Sequence, residues 1–225
     1  MSFIINKLET SGNGEAMLQE GIQENVLLAI CPYSFMVSKR FLRSYLPWIA
    51  AHTAKSHIFL GDYWERHNLI AQGSNRRQAS DKMMKKGRSI KKTIHSVLSE
   101  FDLTEHFKFI DLFEDSKTED YQEILKQIIL YSENSKLFMT DMESLASTFM
   151  FRRLPQMYGD YDVLSHLVNY IFEEIAFYLC WNLRGWKVEV YPGPDLDILK
   201  KIFAGAYENF PVQMDKRVHI SVEKI

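Results

Sequence analysis

A cysteine, a glutamate and two tyrosines are the groups in this sequence most able to make and break bonds. Cys31 ends the run Val26-Leu27-Leu28-Ala29-Ile30, bounded by polar Glu24 and Asn25 before and by Pro32 after. Five apolar residues so bounded read as a short strand buried on both faces. In an open α/β sheet, ligands bind outside the carboxyl ends of strands, so a thiol placed there faces a crevice, where it can serve as a nucleophile. A lone cysteine after an apolar strand is also commonly a small buried hydrophobe, and this stretch by itself favours that plainer reading.

The second group lies on a helix expected from Asp160 to about Leu183. At about 100° per residue, Tyr170, Val163, Leu167, Glu174, Tyr178 and Trp181 share one arc, while His166, Asn169, Glu173 and Ala176 share another. The adjacent glutamates therefore differ: Glu173 joins a polar face, whereas Glu174 points into an apolar and aromatic one beside Tyr170. A carboxylate there needs a cationic or hydrogen-bonding partner or it is protonated. That partner is either a buried protein group or the ammonium of a ligand. Tyr191 is a further polar tip, ending the alternating stretch from Trp186 at the rigid Pro192-Gly193-Pro194.

Charge is distributed unevenly. The chain carries −2 overall, yet Arg76 to Lys92 holds eight basic residues against Asp81 alone, so this segment is +7 and the remainder −9. Read as a helix to about Leu98, it places Met83, Ile90, Ile94, Val97 and Leu98 inward, with Lys82, Lys85, Lys86, Arg88 and Lys92 on the opposite face. Such a face is usually just solvated, and its shortage of acids brings polyanion binding level with that plainer reading without favouring either.

The elements that must position these groups follow from patterning. The 225 residues suffice for one sizeable core, and one domain spanning 1–225 is expected, with 1–23 a loosely attached N-terminal segment. Short apolar strands at 26–30, 57–60, 106–112 and 186–191 alternate with helices at 38–53, to 72, 119–131, 140–153, 160–183 and 195–204, and a last edge strand is expected at 219–222. Pro47 should bend or interrupt the first helix. This alternation predicts an α/β fold, a Rossmann-like domain with a central, mostly parallel sheet flanked by helices.

Absences narrow the chemistry. Two well-separated cysteines, Cys31 and Cys180, argue for a reducing compartment rather than a disulfide framework. The seven histidines show no metal-ligand spacing, so no metal is expected. No unbroken apolar run approaches the length of a membrane span. Neither a Gly-x-x-x-x-Gly-Lys-Ser/Thr loop nor Gly-x-Gly-x-x-Gly is present, so an enzyme built on this chain takes a substrate that is already activated.

From about Asn25 to about Gly205 the sequence resembles the tRNA-dependent cyclodipeptide synthases, whose fold is similar to the catalytic domain of class I tyrosyl- and tryptophanyl-tRNA synthetases without the ATP machinery. The family's first motif, His-x-aliphatic-aliphatic-Gly-aliphatic-Ser, is similar to Asn25 through Cys31, with Asn25, Ala29 and Cys31 at the three positions that depart. Tyr-x-x-x-Glu-x-Pro matches Tyr170 and Glu174, with Ala176 for proline, and Tyr-x-x-Pro matches Tyr191 and Pro194. Pro192 after Tyr191, with Ser34 three residues beyond Cys31, resembles the subgroup labelled XYP.

The resemblance implies an aminoacyltransferase that joins two aminoacyl-tRNAs into a 2,5-diketopiperazine by ping-pong covalent catalysis. Cys31, Tyr170, Glu174 and Tyr191 would be catalytic, Ala29, Ser34 and Pro192 would bind substrate, and Lys82, Lys85, Lys86, Arg88 and Lys92 would hold the tRNA. It further implies no cofactor, no ATP, no membrane, a cytoplasmic location and a monomer. The rivals are a synthetase-like module that grips tRNA without chemistry, and a thiol hydrolase pairing Cys31 with a histidine.

Overall fold

Five consecutive apolar residues can form a strand only where both faces of a sheet are covered, and Val26–Ile30 takes that central place. The computed structural model describes residues 3–10, 26–213 and 217–224. In chain order its elements are β1 (Phe3–Thr10), β2 (Val26–Ile30), α1 (Lys39–His52), β3 (Ser56–Leu60), α2 (Arg66–Ala71), α3 (Arg76–Glu100), β4 (Phe107–Ile110), α4 (Leu112–Asp115), α5 (Glu119–Asn134), α6 (Lys136–Arg153), α7 (Tyr161–Leu183), β5 (Val188–Tyr191), α8 (Asp197–Phe203) and β6 (Val218–Lys224). Among the described residues six strands make one sheet in the order β1-β6-β5-β2-β3-β4. From β6 to β4 every pairing is parallel, and β1 alone runs antiparallel.

Alternation along β2 divides the core. Val26, Leu28 and Ile30 pack with Phe41, Leu42, Tyr45 and Ile49 of α1 and with Ile90, Ile94, Val97 and Leu98 of α3. Leu27 and Ala29 face the other side, where Ile171, Phe172, Ile175 and Phe177 of α7 cover the sheet. Helices on both faces are what a parallel sheet requires, because each crossover returns over a face. Ser38 caps α1 by accepting the Phe41 N–H at 3.3 Å, and the Tyr45 hydroxyl donates to the Val190 carbonyl at 3.1 Å, which ties α1 to β5.

The mostly parallel sheet flanked by helices agrees with the expected α/β class. Three expectations need correction. Part of the supposed loose N-terminal segment, Phe3–Thr10, is a strand paired with β6 from Phe3 opposite Lys224 to Thr10 opposite Val218, while 11–25 lie outside the described residues. Consequently β6 is not an edge: it lies between β5 and β1, with Ile220 and Val222 buried. Pro47 does not interrupt α1, which runs through it to His52. The helix α7 is also long and apolar enough to cross a membrane by length and composition, but it packs against α2, α5 and α6 as the main core helix.

One close approach fixes α3 against the end of β3. Gly87 faces Asp62, and a Cβ there would overlap the Asp62 carboxylate. Gly87→Ala is therefore expected to lower stability, because overpacking costs about 1–3 kcal/mol against about 1 kcal/mol gained in helix propensity. Urea denaturation checks this: a lowered midpoint is expected, and a raised one would show that α3 does not depend on the approach.

Candidate functional site

The parallel strands β2, β3 and β5 end on one side of the sheet, where α7 leaves a half-open cavity of about 260 Å³. Its wall includes Ala29 and Cys31 from β2 and its end, Trp64 from the loop after β3, Tyr170 and Glu174 from α7, and Tyr191 at the end of β5. All four side chains expected to do chemistry thus meet in one space, although they come from three distant segments. Aromatic residues and a few convergent polar groups make this the default ligand site of the molecule.

Each group is held by local structure. The Ser34 hydroxyl and backbone N–H both donate to the Cys31 carbonyl, at 2.9 and 3.2 Å, and the same hydroxyl accepts from the Met36 N–H at 3.2 Å. Ser34 therefore shapes the turn that presents Cys31 and is not itself part of the cavity wall. Pro192 is likewise outside the wall, to which Pro194 contributes. A Cβ at Gly193 would come within 2.7 Å of the Tyr191 ring, so only glycine leaves room for the phenol to lie as it does. The Tyr170 ring packs edge-on against Trp64, centroids 6.1 Å apart.

Electrostatics separate the two adjacent glutamates as their helical positions require. Glu173 pairs with the Arg66 guanidinium and lies 3.1 Å from His67 Nε2, partners that outweigh its burial and lower its pKa. Glu174 has no hydrogen-bond or ion-pair partner among the described residues. Burial first, then the charges of Glu189 and Glu65, push its carboxyl up to about 8, with Arg217 pulling the other way. Burial also raises both phenols of Tyr170 and Tyr191, so each is a neutral hydroxyl near pH 7. The Cys31 thiol is raised as well, by burial and by the charges of Glu65 and Glu174 against a hydrogen bond from the Tyr33 backbone.

Sequence reasoning missed an ion cluster in the same wall. Arg217 donates through Nη1 to both oxygens of Asp195, at 2.8 and 2.7 Å, and through Nη2 to Glu189. His219 meets Glu189 at 3.0 Å and the Gly193 carbonyl at 3.1 Å, and the Tyr178 hydroxyl donates to Glu189. Burial opposes ionisation of Glu189, but Arg217 and His219 prevail and hold its carboxyl at about 2. Donor atoms of Glu189, Asp195 and His219 lie within 4.8 Å of one another, a spacing a metal ion could use. The Arg217 guanidinium already supplies the cation there. The available signal was Glu189, a charged residue inside the apolar strand Val188-Glu189-Val190.

The basic face is mostly as expected. Lys82, Lys85, Arg88 and Lys92 are exposed along α3 and form no ion pairs with described residues, whereas Lys91 reaches Asp111 at 3.8 Å. Lys86 differs: it is half-buried with its Nζ 3.0 Å above the centroid of the Tyr33 ring, two residues past Cys31.

Comparison with known proteins bears on the fold and the family. None of the curated proteins compared matches the sequence. Among solved structures, a cyclodipeptide synthase from Fluoribacter dumoffii is 15% identical, with a TM-score of 0.78 over 97% of this chain and 99% of that one. A Mycobacterium tuberculosis protein, reported to show that cyclodipeptide synthetases are related to type I tRNA synthetases, is 16% identical, with a TM-score of 0.68 over 94% of this chain and 89% of its own. The enzyme of Candidatus Glomeribacter gigasporarum bound to Phe-tRNAPhe is 17% identical, with a TM-score of 0.62 over 96% and 93%. At these identities the structures speak for a shared fold. The family model described as cyclodipeptide synthase matches residues 9–182. That stretch holds Cys31, the whole of α3 and the Tyr170–Glu174 pair, and the chain belongs to the cyclodipeptide synthase family.

Proposed function

We propose that the enzyme builds its cyclic dipeptide from two aminoacyl-tRNAs, carrying the growing acyl group on Cys31, and that it is of the XYP kind. The observation that carries this reading is the meeting of Cys31, Tyr170, Glu174 and Tyr191 around one small cavity, with Lys86 of the basic helix α3 resting over Tyr33 in the turn that follows Cys31. A volume of about 260 Å³ suits an aminoacyl group better than a whole nucleotide, leaving the tRNA outside on α3. The ester of a charged tRNA already stores the free energy of the reaction, so the chain needs no ATP site. Family membership does not favour a tRNA-binding module without chemistry. Action as a monomer in the reducing cytoplasm, where charged tRNA and free thiols coexist, belongs to the same reading.

In the first step the Cys31 sulfur attacks the ester carbonyl, and the tRNA departs with its ribose oxygen. Glu174, with Tyr170 beside it, receives the α-ammonium, replacing water by a charge-assisted hydrogen bond. The freed amine of the thioester then attacks the second aminoacyl ester, leaving a dipeptide on Cys31. Its new N-terminus closes the ring on the thioester carbonyl and expels the thiolate. Glu174 accepts a proton from the attacking amine, and the neutral Tyr191 hydroxyl relays one at ring closure. Expression in bacteria should release a diketopiperazine into the medium. Cys31→Ala should abolish it, and product at an undiminished level from that variant would exclude the acyl-enzyme.

Glu174 also generates a pH prediction. Its carboxyl holds a proton in the folded protein that the unfolded chain releases, so its contribution to stability falls as pH rises from the ordinary carboxylate range to about 8. Glu174→Gln should therefore match the wild type in melting temperature near pH 4.5 and exceed it increasingly toward pH 8, while losing cyclisation activity. Equal melting curves at pH 8 would mean that the carboxyl is not held in this way.

For the tRNA face, charge reversal at Lys85, Arg88 and Lys92 should weaken tRNA binding and reduce the slope of log affinity against log salt by about 0.7–0.9 for each phosphate that is no longer neutralised. An unaltered slope would place the tRNA elsewhere.

A further inference from the structure

Acyl transfer onto Cys31 needs an acceptor for the thiol proton and a donor for the departing ribose oxygen. The residues assigned so far serve the amine and not the thiol. Beside Cys31, the Ile30 carbonyl accepts from the Gly61 N–H at 3.2 Å, and Gly61 stands close to the Pro32 ring and to Trp64. The loop after β3 therefore runs along the turn that carries the nucleophile. Trp64 lines the cavity with Cys31, and the next residue, Glu65, is a carboxylate only 7% exposed.

Glu65 Oε2 accepts from Asn68 Nδ2 at 2.6 Å. The cations facing Glu65 are Lys86 from α3 and Arg153 from α6, and the groups that feel its charge are Cys31, Tyr33, Tyr170 and Glu174. Lys86 sets its Nζ over the Tyr33 ring, and the Tyr33 hydroxyl donates to Met83 Sδ at 3.3 Å one turn earlier on α3. These two contacts clamp α3 onto the Cys31 turn. Burial raises Glu65 and lowers Lys86, which brings toward neutral pH a base that follows the cavity residue Trp64 in the chain and an acid held over the Cys31 turn.

We propose that Glu65 and Lys86 are the proton acceptor and the proton donor of acyl transfer onto Cys31, an inference that rests on Cys31 being the acylated residue. The sulfur–carbonyl bond forms as the thiol proton passes to Glu65. The carbon–oxygen bond to the tRNA breaks as Lys86 gives a proton to the ribose oxygen. Exchange with solvent returns a proton from Glu65 to Lys86, so the thiol proton is in effect transferred to the ribose hydroxyl.

The test compares two reactions of the same sulfur: single-turnover acylation by charged tRNA, followed by intact mass, and alkylation by iodoacetamide. Glu65→Gln removes a negative charge that keeps the thiol neutral, so alkylation at pH 8 should become faster. Acylation should become slower by about 10²-fold, the ordinary worth of a general base, with partial recovery in Glu65→Asp. Lys86→Gln should also slow acylation while weakening tRNA binding no more than Lys85→Gln does, and it carries the test alone if the Glu65 variants do not fold. Acylation that is unchanged or accelerated in either glutamine variant overturns the proposal alone. A wild-type protein that never gains the adduct overturns the Cys31 reading together with it.

Discussion

Glu174 is a carboxylate in a cavity wall with no donor from the described residues, and a buried charge without a partner is costly enough that the group stays protonated until a cation arrives. This constraint organises the surroundings of the cavity. Under the proposed function it would give the site a preference for an ammonium group and make the same carboxyl a base once the amine is bound, at the cost of a stability penalty in the free protein. Such penalties are common where function requires a group to be held out of its preferred state.

The remaining charges of the wall leave Glu174 in that condition. Arg217 is the nearest strong cation by its effect on Glu174, yet its guanidinium donates to Asp195 and Glu189. Turned toward Glu174 it would ionise the carboxyl and compete with a substrate amine. The ion cluster also has a mechanical role, because it ties the residue before β6 to β5 and to the loop after Tyr191. Asp195 and Gly193, both in that loop, bond to Arg217 and His219. The sheet order that places β5 between β6 and β2 is therefore what brings the Tyr191 loop and the Cys31 turn to the same edge of the cavity.

Much of this was legible in the sequence. The apolar run before Cys31 could only be a central strand, and the 3.6-residue period separated Glu173 from Glu174 and the lysines of α3 from its inward residues. What escaped were features that depend on pairing between distant segments. Phe3–Thr10 contains Phe3, Ile4, Ile5 and Leu8, but it begins a stretch to Gln23 that is polar on the whole, and its place beside β6 follows from an edge that only the folded sheet presents. Arg217 and His219 find Glu189 across 28 and 30 residues, a separation with no local signature. Glu65 carried no signal in the sequence, and only the folded loop, with Gly61 near Pro32 and Trp64 in the cavity wall, brings its segment to the Cys31 turn.

The central claim is that Glu174 is neutral in the free protein and ionises on meeting an ammonium group. Carbon-13 NMR of labelled glutamate, assigned through Glu174→Gln and titrated with and without a non-reactive aminoacyl analogue, measures this directly. The account predicts a carboxyl that titrates near 8 in the free protein, moves well below neutral pH with the amine-bearing analogue and stays in place with the N-acetylated one. A Glu174 already ionised at pH 6 in the free protein, or one that responds equally to both analogues, would contradict it.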